Sequence, residues 1–139
     1  MADLHIEAAD VRRDLSDWKG SLQDASESLR LDCEIESTTK SVPTVIRSLA
    51  TSYAAVGMAE ANLSRVNDSL DNYLRGASEL QKLVASNPRS VSWNRELMLA
   101  YAHAADVSGN PGLQNLGVRK AALTYYQKAA AGRAVCRSR

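Results

Sequence analysis

The chain has 139 residues and a formal net charge of +1, and 45% of its residues are hydrophobic while 24% are charged. This length and composition indicate one globular domain, residues 1–139, with a core of its own, and they exclude a disordered chain. The near-zero charge excludes the basic excess typical of nucleic-acid and membrane-surface binders, so we expect neither nucleic acid nor a membrane as partner.

The first third of the chain predicts two helices that together span about residues 3–36. Apolar residues recur there at steps of three and four, which is the spacing of one helix face. The segment Asp17-Trp18-Lys19-Gly20 is expected to connect the two helices. The two apolar faces consist of Leu4, Ala8, Val11 and Leu15, and then of Leu22, Ala25 and Leu29, with Cys33 as a further candidate.

The middle third predicts a second pair of helices over about residues 42–87. Pro43 suits the first turn of a helix, where a missing N–H costs little. Asn67 and Asp68 are expected to cap the second helix of this pair, and Asn87-Pro88 is expected to end it. The two apolar faces consist of Val42, Val45, Ile46, Leu49, Ala50, Tyr53 and Val56, and then of Leu70, Tyr73, Leu74, Ala77, Leu80 and Val84.

The last third predicts a third pair over about residues 90–134. Ser90 or Ser92 can cap its first helix, and Asn110-Pro111-Gly112 is expected to break the chain before the last helix. No stretch alternates as a strand would, so we expect helix over more than roughly 70% of the residues. The two apolar faces consist of Trp93, Leu97, Ala100, Tyr101 and Ala104, and then of Ala122, Leu123, Tyr126, Ala129 and Ala130.

The second pair of helices recurs in the third. The first-helix residues Val45, Arg47, Leu49 and Tyr53 return 48 residues later as Trp93, Arg95, Leu97 and Tyr101. The second-helix residues Ser69, Leu70, Tyr73 and Ala77 return 53 residues later as Ala122, Leu123, Tyr126 and Ala130. A repeat of this size is typical of stacked helix pairs. The difference of five residues predicts a longer connection in the third pair, within Asn110 to Gly117.

This pattern of small and aromatic residues resembles the tetratricopeptide repeat, in the extended form found in some bacterial proteins. The run Asn87-Pro88 followed by Trp93, Arg95 and Leu97 is similar to one in bacterial repeat proteins, some of which carry a Ser/Thr kinase domain. The repeat here is longer than the usual 34 residues. Other residues carry the resemblance: Leu97, Ala100 and Tyr101 on the first helix, and Ala122, Tyr126 and Ala129 on the second.

The resemblance implies an all-α fold in which three antiparallel helix hairpins stack as a short right-handed α-solenoid. It also implies a non-catalytic scaffold, without a cofactor, whose inner wall of first helices binds a protein or peptide. The candidate contact residues are Arg47, Thr51, Arg95 and Leu99. Paired guanidinium groups would favour an acidic or carboxylate-bearing peptide. The alternative for both arginines is an ordinary solvated charge or a local ion pair.

The remaining patterns exclude common kinds of active site. His5, His103, Cys33 and Cys136 have no metal-ligand spacing, so no metal site is expected. The sequence contains no phosphate-binding glycine loop and no nucleophile elbow. It contains no membrane-length apolar run and no signal peptide at its start, so we expect a cytoplasmic protein with reduced thiols.

Three other functions stay open at this point. The chain could be a helical bundle that associates with itself, as a homodimer, if apolar residues of its last helix, such as Leu116, Leu123 or Tyr125, are left uncovered. It could be part of a larger signalling protein such as a Ser/Thr kinase that carries these repeats. It could also be an enzyme whose site has no recognisable motif.

Overall fold

The structure is a computed structural model that describes residues 2–39, 42–110 and 115–137, with side chains described as far as residue 131. Within these ranges six α-helices make up 87% of the residues, and no strand occurs among them. This confirms the all-α prediction. None of the helices in these ranges combines the length and hydropathy that crossing a bilayer requires. The helices are α1 (Ala2–Asp14), α2 (Trp18–Thr39), α3 (Pro43–Asn62), α4 (Val66–Ser86), α5 (Val91–Gly109) and α6 (Arg119–Arg137).

The three predicted helix pairs are present, but two helix starts differ from the prediction. Trp18, Lys19 and Gly20 form the first turn of α2 rather than a connection, because Asp17 caps the helix by accepting the Gly20 N–H at 3.0 Å. Similarly, Asn67 and Asp68 lie inside the first turn of α4, which begins at Val66. Ser90 caps α5 as predicted, since its hydroxyl accepts the Trp93 N–H. The predicted break at Pro111-Gly112 lies outside the described residues.

Two backbone features recur in all three connections between the paired helices, although the third connection is longer. A residue in the left-handed region occupies the same place each time: Ser16 (φ 60°), Ser64 (φ 65°) and Gly117 (φ 71°). The residue after it donates its N–H to a carbonyl of the preceding helix at 2.8 Å in every turn, as Asp17 to Arg12, Arg65 to Glu60 and Val118 to Ser108. These positions are spaced by 48 and then 53 residues. The first helix pair therefore belongs to the same repeat as the other two. The five extra residues of the third pair lie between Ser108 and Leu116.

Small residues let the paired helices approach closely at repeat-equivalent positions. In the first pair the Ser21 hydroxyl donates to the Ala9 carbonyl at 2.9 Å, and in the second the Ser69 hydroxyl donates to the Gly57 carbonyl at 2.6 Å. A Cβ added to Gly57 would lie 3.2 Å from the Tyr73 ring. In the third pair the equivalent residue is Ala122, which is buried and has no hydroxyl to donate.

The first two turns carry charges of opposite sign at equivalent positions. Arg12 forms ion pairs with Asp17 at 2.9 Å and with Asp24 at 2.7 Å. At the positions 48 residues later, Glu60 faces Arg65 at 3.9 Å and accepts a hydrogen bond from the Asn72 amide at 2.7 Å. The same turn is thus closed by a cation on the first helix in one pair and by an anion in the next.

Each helix packs mainly against the next helix along the chain, and α1 also touches α3. The largest buried cluster joins α3, α4, α5 and α6 and contains Tyr101, which is 7% exposed. This confirms the predicted burial of Tyr101. The prediction was wrong for the equivalent Tyr53, which is only half-buried.

The contact between the first two pairs is polar at its centre. Asp32 of α2 is 2% exposed, and its carboxylate accepts hydrogen bonds from Ser52 at 2.6 Å and from Ser48 at 2.8 Å. Ser52 also lies 2.8 Å from the Ser28 hydroxyl, which is 3.1 Å from the Ala2 carbonyl. Each hydroxyl has one proton to donate, so if Ser52 donates to Asp32, Ser28 donates to Ser52 or to Ala2.

The apolar faces at the two ends of the chain are exposed, contrary to expectation. On α1 the predicted inward residues Leu4, Val11 and Leu15 are exposed, while Ala9 is buried instead. On α6 Ala122 and Ala129 are buried as predicted, but Leu123, Tyr126 and Ala130 are exposed. The physical reason is the same at both ends: each face has a neighbouring pair on one side only.

Candidate binding groove

A groove of about 240 Å³ runs between α3 and α5, with α4 as its floor. Its walls are largely apolar. Leu99 is the large apolar side chain that is most open in it, with 45% of its surface exposed. A concave, largely apolar surface with a few polar groups at its edges is the usual form of a binding site. The lining residues are Arg47, Ala50, Thr51 and Ala54 of α3, Tyr73, Gly76 and Leu80 of α4, and Glu96, Leu99, Ala100 and His103 of α5.

An ion pair closes one end of the groove. The Arg47 guanidinium donates to both carboxylate oxygens of Glu96, from Nη2 at 2.5 Å and from Nε at 3.2 Å. Ser92 donates a weaker hydrogen bond to the same carboxylate at 3.3 Å. Two-pronged Arg–carboxylate contacts are among the stronger polar contacts in proteins. Arg47 therefore already holds a carboxylate, one that belongs to its own chain and spans from α3 to α5.

Two stacked rings lie in the middle of the groove, Tyr73 on its floor and His103 on its α5 wall. Tyr73 is 4% exposed, and its ring stacks on that of His103 with centroids 5.1 Å apart and an interplanar angle of 19°. Burial lowers the pKa of His103, and the nearby Asp106 carboxylate partly opposes this by favouring the protonated ring. Burial also raises the pKa of Tyr73 above its ordinary value. Both rings are therefore uncharged at neutral pH.

Beyond the stacked rings a second hollow of about 290 Å³ continues between α3 and α5. Its charged residue is Asp106, whose carboxylate accepts a hydrogen bond from the Tyr126 hydroxyl at 2.5 Å. This hydrogen bond raises the pKa of Tyr126. The groove thus has an ion pair at one end, rings in the middle and a carboxylate at the other end. The hollow is lined by Met58, Ala61, Asn62, Tyr73, His103, Asp106 and Val107.

Three of the four predicted contact residues lie together in the groove. Arg47, Thr51 and Leu99 line it, whereas Arg95 does not. Glu96, one residue later, is the side chain that α5 directs at α3, and successive residues are turned by about 100° around a helix. Arg47 lies on the side of α3 that faces the following helix pair. By repeat equivalence, Arg95 lies on the same side of α5, away from α3.

The groove residues that carry a charge or a ring were, apart from Arg47, not predicted from the sequence as site residues: Glu96, Tyr73, His103 and Asp106. Among them, His103 stacks on Tyr73. The sequence contained a signal for the α5 residues: Glu96, Leu99, His103 and Asp106 are spaced by three, four and three and so form one stripe along the helix.

Within the described residues no group of histidine, cysteine and carboxylate side chains could hold a metal ion. Cys33 is a free, exposed thiol, and the Cys136 side chain lies outside the described part.

We expect acid to destabilise the fold through His103. The pKa of His103 is lower in the folded chain than in the unfolded chain, so the unfolded state binds more protons below about pH 6.5. Stability should therefore be complete above this pH and fall as the pH drops toward the folded-state pKa. Urea unfolding measured between pH 7.5 and pH 5.5 checks this. The loss on acidification should be smaller in His103→Gln, and an identical pH dependence in the two proteins would contradict the assignment.

No family model matches this sequence, and searches of curated proteins and of solved structures give no significant match. The fold defines an all-α chain of six helices, each packed on the next. The tetratricopeptide resemblance thus depends on the residue pattern and the repeated turns described above, and it stays a prediction.

Proposed function

We propose that the chain is a non-catalytic protein-interaction module that holds a segment of a partner protein in the groove between α3 and α5. The single observation that carries the proposal is Leu99, an exposed apolar side chain inside a groove with polar groups at both ends. An apolar centre supplies affinity, and polar ends fix the orientation of a bound segment.

The module is, in this proposal, a short right-handed stack of tetratricopeptide-like hairpins. The left-handed residue and the hydrogen bond that recur in all three connections support it, as do the small residues at equivalent positions of the paired helices. The order of contacts, each helix against the next and α1 against α3, also fits a stack. In such a stack the first helices, α3 and α5, form the inner wall.

The partner in this proposal presents an apolar side chain to Leu99 and a carboxylate to Arg47. Arg47 is already paired with Glu96, so a carboxylate of the partner must displace Glu96. The binding free energy gains only the difference between the two contacts. The acidic preference is therefore weak and depends on salt, because both charges lie near the surface. The apolar contact contributes most of the affinity.

A displayed library of random peptides tests the proposal, with peptides selected on the wild-type chain. We expect selected peptides to bind the Leu99→Glu variant at least about tenfold more weakly, because a charge replaces the apolar centre of the groove. Gln23→Glu, which adds the same charge on the exposed face of α2, is the matched control and should bind as the wild type does. Failure to select any peptide, or equal binding to Leu99→Glu, would overturn the proposal.

The charge preference is tested with the selected peptides. Glu96→Gln should tighten binding of acidic peptides, because it frees Arg47. The paired change Arg47→Glu and Arg95→Glu should weaken binding of acidic peptides, because it replaces attraction by repulsion, and the fold should be kept, since both residues are exposed. The two single changes separate Arg47, inside the groove, from Arg95, outside its lining. Unchanged binding to the paired variant would show that neither arginine contributes.

A further inference from the structure

The outer face of α6 repeats the face by which α4 packs on α5. Leu70, Tyr73 and Ala77 of α4 pack in the clusters that join α4 to α5, and Tyr73 and Ala77 are 4% and 1% exposed. Their equivalents, 53 residues later, are all exposed: Leu123, Tyr126 and Ala130. The last helix thus carries the residues for a contact with the first helix of another pair.

The outer face of α1 repeats the complementary face. Ala100, Ala104 and Val107 are three of the buried α5 residues in the clusters shared with α4. The α3 residues at the same repeat position, Ser52, Val56 and Ala59, are buried too. The α1 residues at this position are Leu4, Ala8 and Val11, and Leu4 is 62% and Val11 59% exposed. The chain therefore carries both halves of one type of contact, at opposite ends.

The charges beside these two faces are opposite. Asp3, Glu7, Asp10 and Asp14 lie along α1, one residue from the apolar stripe. Arg13 forms ion pairs with Asp10 at 2.7 Å and with Asp14 at 3.4 Å, so the acidic excess lies at Asp3 and Glu7. Among residues 119–131 of α6 no side chain is acidic, and the basic Arg119 and Lys120 lie one turn before Leu123, beside this face. Lys128 lies on the other side of the helix, over the Tyr101 ring. Two α6 faces or two α1 faces would repel each other, whereas α6 and α1 attract. The charges therefore favour a contact between α6 of one copy and α1 of another.

We propose that copies of this chain associate head to tail, with α6 of one copy packed on α1 of the next. The junction reproduces the α4–α5 contact inside the chain, with Leu123 and Tyr126 on one side and Leu4 and Val11 on the other. Arg95 then lies at the junction, as Arg47 lies beside α5, with Asp3 of the next copy as a nearby acidic group. Such a contact is heterologous, so it extends into an open chain of copies rather than closing as a dimer. The inference does not depend on the ligand of the groove.

Two variants separate the ends. Leu123→Glu blocks the α6 end, and the paired change Leu4→Glu and Val11→Glu blocks the α1 end. All three residues are largely exposed, so the fold should persist, and circular dichroism checks this. In sedimentation velocity from micromolar to millimolar concentrations, we expect the wild-type chain to form species that grow with concentration and shrink at high salt. Each variant alone should be monomeric.

Mixing the two variants gives the decisive result. Only one productive junction is possible, between the intact α6 of one variant and the intact α1 of the other, so the mixture should stop at a one-to-one dimer. A wild-type chain that stays monomeric at every concentration would overturn the proposal. Dimers formed by either variant alone would overturn it as well, since they would require a contact between like ends.

Discussion

The Tyr101→Ala variant is expected to unfold with a free energy about 3 kcal/mol below that of the wild type, because it removes a buried aromatic ring from the largest cluster. Tyr101 is 7% exposed, and its ring stacks with that of Tyr125 at a centroid distance of 6.4 Å. Lys128 Nζ lies 5.1 Å above the same ring, and the Gln81 amide donates to the hydroxyl at 2.6 Å. The ring therefore links α4, α5 and α6.

Urea unfolding of two comparison variants separates the causes of this loss. Tyr101→Phe keeps the ring and loses only the hydroxyl contact with Gln81, so we expect a cost of about 1 kcal/mol or less. Tyr53→Ala makes the same change at the repeat-equivalent position, where the ring is only half-buried, and should cost clearly less than Tyr101→Ala. Equal losses at the two positions would mean that burial does not distinguish them in solution.

Ser52→Ala should lower the free energy of unfolding by about 2 kcal/mol, because it takes a hydrogen-bond donor from a buried carboxylate. Ser52 is fully buried and donates to Asp32 at 2.6 Å, and water has no access to replace it. Ser48 donates to the same carboxylate at 2.8 Å but is only half-buried, so water can take its place and Ser48→Ala should cost less.

A double-mutant cycle completes this measurement. In an Asp32→Ala background the carboxylate is gone, so Ser52→Ala should cost much less than it does in the wild type. Denaturant unfolding of the four proteins gives the coupling energy between the two residues. Additive losses would contradict the role assigned to this contact, which joins the first two helix pairs.

The fold could be predicted from the sequence because helical periodicity depends on neighbours only three or four residues apart. All six helices were predicted, and the spacings of 48 and 53 residues placed the longer third connection correctly. The helix starts were less predictable. Asp17 and Asn67 are both good caps by residue type, and only the turn geometry decided that Asp17 caps α2 while Asn67 lies inside α4.

The groove could be predicted only in part because it depends on two helices that are distant in sequence. Repeat position identified the side of α3 that carries Arg47 and Thr51. By the same rule Arg95 lies on the equivalent side of α5, which is turned away from α3, so Arg95 does not line this groove. Glu96 as a partner for Arg47 depends on how α5 lies against α3, and no pattern within either helix contains this information.

The reversed charges at the first two turns also restrict which helices can pair while the chain folds. Helices of similar sequence can combine with the wrong neighbour, which is a common failure of repeat proteins. If α1 combined with α4 through such a turn, Arg12 would meet Arg65 and Asn72 in place of Asp17 and Asp24. If α3 combined with α2 in that register, Glu60 would meet two aspartates. Each wrong hairpin thus places like charges together, so the exchanged signs disfavour both wrong pairings of the first four helices.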